Sequence, residues 1–154
     1  MRIVIVLLTT ALAAGPALAR TEECDEISTA EVARLFDRWN ASLATLDPKR
    51  VAANYAKGAV LLPTVSNLPR TTPALIEDYF VMFLKQKPQG RIDERHITIG
   101  CDVATDVGVY TFTLANPDGT TRQVKARYSF VYVPEGGQWK ILHHHSSAMP
   151  EPVR

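Results

Sequence analysis

Between Thr121 and Met149 the sequence runs TRQVKARYSFVYVPEGGQWKILHHHSSAM. Two long stretches rich in β-branched and aromatic residues flank a Pro134-Glu135-Gly136-Gly137 break, the signature of paired antiparallel strands joined by a tight turn. A hairpin this long dictates a sheet, and the rest of the chain has to cover one of its faces.

The upstream segments supply that cover. Ser28-Thr29-Ala30-Glu31 forms a capping box, with Ile27 and Val32 placed for a hydrophobic staple. Val32, Leu35, Phe36, Trp39, Leu43 and Leu46 then fall on one helical face, and Asp47-Pro48 stops the helix. Arg50 to Tyr55 reads as a short second helix and Ala59 to Leu62 as a short strand. Pro63 to Arg70 reads as a loop polar enough to edge a pocket. Thr72-Pro73 opens a further helix carrying Leu75, Ile76, Tyr79, Phe80, Phe83 and Leu84, which Pro88-Gln89-Gly90 ends. From Arg91 the period becomes two. Val107 to Leu114 reads as a strand, Asn116-Pro117-Asp118-Gly119 as a turn, and the long hairpin follows. Helices first and a strand meander afterwards define an α+β class with one domain.

The first nineteen residues read as a secretory leader: a basic start at Arg2, an apolar run from Ile3 to Ala14, and Ala17-Leu18-Ala19 before the expected cut. The apolar run is short for a membrane span. The expectation is a single domain over 20–154, periplasmic or secreted, with no membrane attachment after cleavage. Removing Arg2 leaves 16 basic residues against 16 acidic ones, a balance that gives no electrostatic case for nucleic acid. Export to an oxidising space allows a disulfide between Cys24 and Cys101, with two unpaired thiols as the equal alternative.

Three features bear on function. Arg127 lies inside the hairpin's first strand. Lys125, Arg127, Ser129, Val131 and Val133 share one face, and Val124, Ala126, Tyr128, Phe130 and Tyr132 the other. If Arg127 lies under the helices it needs a carboxylate partner or an anionic ligand; otherwise it is a solvated or dimer-facing side chain. His143, His144 and His145 alternate, His143 and His145 with Trp139 and Ile141, His144 with Leu142 and Ser146. Two histidines at i and i+2 could hold a metal, but no obvious third ligand exists, so no metal is expected. They are otherwise structural, or one is an acid or base. Tyr55, Tyr79, Tyr110 and Tyr128 could offer hydroxyls to a pocket. The absence of a glycine-rich phosphate loop predicts no nucleotide cofactor.

The run ARYSFVYV with GGQWKILHHHSSAMPEP, and upstream YAKGAVLLPTVSN, IEDYFVMFLKQKPQG and VGVYTFTL, resembles the association (hub) domain of calcium/calmodulin-dependent protein kinase II and its stand-alone bacterial relatives. The Trp139-to-Ser147 end carries the most specific part. The resemblance implies a cone-shaped cystatin-like fold of the nuclear transport factor 2-like superfamily, with helices on a strongly curved antiparallel sheet and a pocket between them. It implies self-association as a dimer or ring, and a pocket that binds small carboxylates. Arg127 falls on a pocket arginine of that family and Tyr55 on a pocket tyrosine. Two further family arginines correspond to Thr111 and Ser146. The site expected is therefore Arg127, Tyr55, Tyr110, His143 and His145, with Arg70 as an added cation. The alternative is an isomerase- or cyclase-type enzyme of the superfamily with a histidine as acid or base.

Overall fold

A computed structural model describes residues 23–64 and 66–151; the leader expected over residues 1–19 lies outside them. α1 (Thr29–Ala44) starts as its sequence dictates. Ser28 caps the Glu31 amide, and the Glu31 carboxylate returns to the Ser28 amide at 2.8 Å. Val32, Leu35, Phe36, Trp39 and Leu43 are buried along one stripe, each contributing roughly 1.5–3 kcal/mol relative to exposure. Leu46, expected on that stripe, is exposed, because the chain turns at it with φ 56°. α2 (Pro48–Ala52) starts with Pro48 directly after an Asp47 cap. α3 (Pro73–Phe83) is capped by Thr72, and a 3₁₀ turn (Leu84–Gln86) extends it. Leu75 is exposed, and α3 buries only Ile76 and Phe80 fully.

Five strands form one sheet in the order β1-β5-β4-β3-β2: β1 (Tyr55–Leu62), β2 (Gln89–Gly100), β3 (Val103–Ala115), β4 (Thr121–Glu135) and β5 (Gln138–Ala148). The meander from β2 to β5 is antiparallel as read from the sequence. The sheet as a whole is mixed, because β1 pairs with β5 in parallel. The α2 end leads straight into β1, so β1 enters the sheet from the same end as β5.

Bulges re-aim side chains at three places. In β2, Ile92 pairs with Tyr110 and Glu94 with Val109, leaving Asp93 as the extra residue. Beside that bulge, Gly108 lies so close to β2 that a Cβ on it would sit 2.0 Å from the Glu94 carbonyl oxygen. In β5, Val131 pairs with His143 and Tyr132 with Ile141, leaving Leu142 extra. The third irregularity lies in β1 between Tyr55 and Val60, where Gly58 takes φ 79°.

The N-terminal arm is joined to the tip of the β2–β3 hairpin by a Cys24–Cys101 disulfide, with Cα atoms 5.2 Å apart. The Asp25 amide also donates to Asp102 Oδ1 at 2.7 Å. The core lies between the helices and the inner sheet face, with Trp39 meeting Phe80, Phe112, Phe130 and His144 edge to face.

Candidate functional site

A cavity of about 280 Å³ opens between the helices and the inner face of the sheet. α1 supplies Trp39. Leu61 of β1 is followed by Pro63 and Thr64, and α3 brings Tyr79, Phe80 and Phe83. The sheet supplies Tyr110, Phe112 and Leu114 from β3, Val124 and Ala126 from β4, and His144 and Ser146 from β5. Gln86 and Arg122 edge it. Most of this wall is aromatic or aliphatic, as in small-molecule sites generally.

Its polar groups form two sets. Tyr110 donates to Ser146 Oγ at 2.5 Å, and the Ser146 and Thr64 hydroxyls share a further hydrogen bond. Burial pushes the Tyr110 and Tyr79 hydroxyls up, Tyr79 to about 12, so both remain protonated. His144 is buried, stacked on Phe130 with ring centroids 4.1 Å apart, and its Nδ1 lies 2.8 Å from the Tyr55 hydroxyl. Burial, with a smaller contribution from neighbouring His145, pushes the His144 imidazole down to about 3, so it is neutral near pH 7. His144 Nε2 and Trp39 Nε1 are buried and have no partner among the described residues.

The expected site residues divide between the two sides of the sheet. Tyr110 lines the cavity. Tyr55 stands one layer behind the wall, holding His144. Arg70 bridges to Leu61 through its backbone, and its guanidinium lies 3.3 Å from Asp78 and over the Tyr79 ring. It backs the wall and does not face the cavity.

Arg127, His143 and His145 are corrections. All three are exposed on the outer face, where Arg127 Nε donates to Ser147 Oγ at 3.2 Å. Arg127 alternates with the buried Ala126 and Tyr128, and the inner face of β4 already holds Phe130 and Tyr132 as well. The histidines are reversed relative to Ile141 because the Leu142 bulge breaks the two-residue period. Ile141, His144 and Ser146 therefore point inward together.

The sheltered guanidiniums are instead those of Arg70, 16% exposed, and Arg95, 23% exposed, the latter with Nε 3.1 Å from the fully buried Asp106. The Tyr128 hydroxyl donates to Asp106 at 2.7 Å. Burial pushes the Asp106 carboxyl up while Tyr128 and Arg95 oppose it. Among the described residues no group of three or more His, Cys, Asp or Glu side chains is placed to hold a metal.

A five-stranded mixed sheet with helices over one face and a cavity between them is the cystatin-like fold seen in nuclear transport factor 2-like proteins. The profile of the calcium/calmodulin dependent protein kinase II association domain matches residues 28–150, and the chain belongs to that family. It is similar to a solved Xanthomonas campestris protein named for the same association domain, at 52% identity and TM-score 0.80, over 82% of this chain and 91% of that one. An uncharacterized Caulobacter vibrioides protein with a cystatin-like fold is 19% identical, TM-score 0.64, over 79% and 89% of the two chains. A Streptomyces avermitilis protein of the NTF2-like family, named as a candidate dehydratase, is 10% identical, TM-score 0.72, over 79% and 97%. The last two show likeness of fold alone. No curated protein matches.

Proposed function

We propose that this chain is an exported, self-associating domain whose inner cavity holds a small molecule without transforming it. The cavity under the helices carries the ligand reading: it is apolar, it is enclosed on several sides, and buried nitrogens of two lining residues, Trp39 and His144, have no partner among the described residues. The carboxylate expected as ligand loses its anchor with Arg127 on the outer face.

Membership in an association-domain family supports pairing with a second copy. The outer sheet face is the surface free to do it. There Val107, Val109, Val131 and Val133 are half-buried in the single chain, beside Arg127, His143 and His145. The leader-like start and the Cys24–Cys101 bond support export. Among the described residues no helix is long and apolar enough to cross a membrane.

The isomerase- or cyclase-type alternative lacks its proton carrier. His144 is the histidine at the cavity, and burial keeps it neutral far below the pH where a useful acid–base group titrates. His143 and His145 are on the wrong face.

Mass measurement by light scattering tests the assembly. The mature chain should have at least twice the monomer mass, and Val131→Glu should reduce it to one chain with secondary structure unchanged. A wild-type monomer at micromolar concentration refutes self-association.

A further inference from the structure

The unpartnered His144 nitrogen defines what the cavity can recognise. Tyr55 and His144 share one hydrogen bond at Nδ1. A phenol is a better donor than acceptor, and a bare imidazole nitrogen is a good acceptor. The Tyr55 proton is therefore directed to Nδ1, and the imidazole proton resides on Nε2. That nitrogen is buried and without an acceptor among the described residues, on a side chain that lines the cavity. A buried donor left unpaired is costly, so its natural partner is a ligand oxygen.

Charge narrows the class further. Among the described residues Arg122 is the one charged side chain on the lining, and it is exposed at the rim, bonded to the amide oxygens of Asn116 and Gln86. A carboxylate drawn down to His144 would leave water without meeting a cation. The volume, about 280 Å³, lies just under the roughly 300–1,000 Å³ of drug-sized sites, room for one ring with a short substituent.

We propose that the cavity takes a neutral, ring-bearing carbonyl compound, whose oxygen accepts from His144 Nε2–H while its ring packs among Trp39, Phe80, Phe83 and Phe112. This rests on the reading of the cavity as a ligand site.

Titration calorimetry with three probes of matched shape tests it: acetophenone, ethylbenzene and benzoate. Acetophenone should bind about tenfold tighter than either of the others, the worth of one buried hydrogen bond. His144→Phe, which keeps a flat ring on Phe130, should bring acetophenone and ethylbenzene within about twofold of each other. Should that variant fail to fold, long-range ¹H–¹⁵N spectra of the native protein decide: the proton should be on Nε2, and its signal should move on adding acetophenone. A proton on Nδ1, or benzoate binding tightest, overturns the carbonyl assignment and leaves the binding reading standing. If none of the three binds, as when water alone fills the space, both fall.

Discussion

Arg95 and Arg127 stand two strands apart on one sheet and differ in almost every physical respect. Arg95 points inward, with Asp106 against its Nε and the Phe36 ring 5.7 Å from its guanidinium carbon. Arg127 points outward into solvent and bonds one serine hydroxyl. A covered guanidinium requires a fixed counter-charge; an exposed one does not. The same rule separates the histidines. His144, covered, is held neutral and tied to Tyr55, while His143 and His145 remain in water on the other side. The two faces of one strand pair thus differ in kind: the inner one closes over the core and cavity, and the outer one meets solvent.

The hardest way to break this contrast is to remove the inner counter-charge. Asp106→Ala leaves Arg95 covered and unpaired and leaves the Tyr128 hydroxyl only the Glu94 carbonyl at 3.5 Å. It should cost about 3–5 kcal/mol in urea unfolding. A loss below about 1 kcal/mol would mean Arg95 simply swings to water, and that the inner face tolerates a bare charge.

Opening the disulfide should come next. The bond closes a separation of 77 residues, and its loss should cost about 2–4 kcal/mol. Thermal unfolding with and without reductant measures it, and an unchanged midpoint would make the arm a passenger on the β2–β3 tip.

A pH titration then sharpens the comparison at the histidines. His144 has its folded value pushed down to about 3 from an ordinary 6.5. Between those values the unfolded chain binds a proton that the folded one refuses. Stability is therefore full above about pH 6.5 and is lost as pH falls toward 3. By pH 5 the loss should reach about 2 kcal/mol. His144→Phe should flatten that limb of the stability curve; an unchanged slope would show that other groups drive the acid response.

Much of the fold was legible because local chemistry and burial agree. The Ser28–Glu31 capping box, the Val32-to-Leu43 stripe and the antiparallel meander all form as their spacing predicts. The parallel pairing of β1 with β5 was not legible, since a short apolar run such as Ala59–Leu62 carries no direction. The inner site failed for a different reason. A two-residue period assigns faces only while the ladder is regular, and one extra residue at Leu142 exchanged the roles of His144 and its neighbours. The face of Arg127 was better signalled than its assignment suggested. Its strand-mates Lys125 and Ser129 are polar, whereas Ala126, Tyr128, Phe130 and Tyr132 form the continuous apolar row that helices need. What the family resemblance offered for Arg127 competed with that pattern, and the pattern describes the position. Trp39 read as core and is both core and cavity wall, because helix packing and the cavity use the same apolar face.

The smallest expected effect is at Arg127 itself. Its side chain is exposed, its one hydrogen bond is to Ser147, and no carboxylate lies against it among the described residues. Arg127→Ala should change unfolding free energy by no more than about 0.5 kcal/mol. Acetophenone affinity should not change, because Ala126 and Tyr128, not Arg127, face the core on this strand. Self-association is where a change belongs: a residue on the outer face can alter the salt dependence of dimer mass without touching the cavity. If instead Arg127→Ala weakened the cavity probe tenfold and left the mass unchanged, the division of labour between the two faces would be wrong.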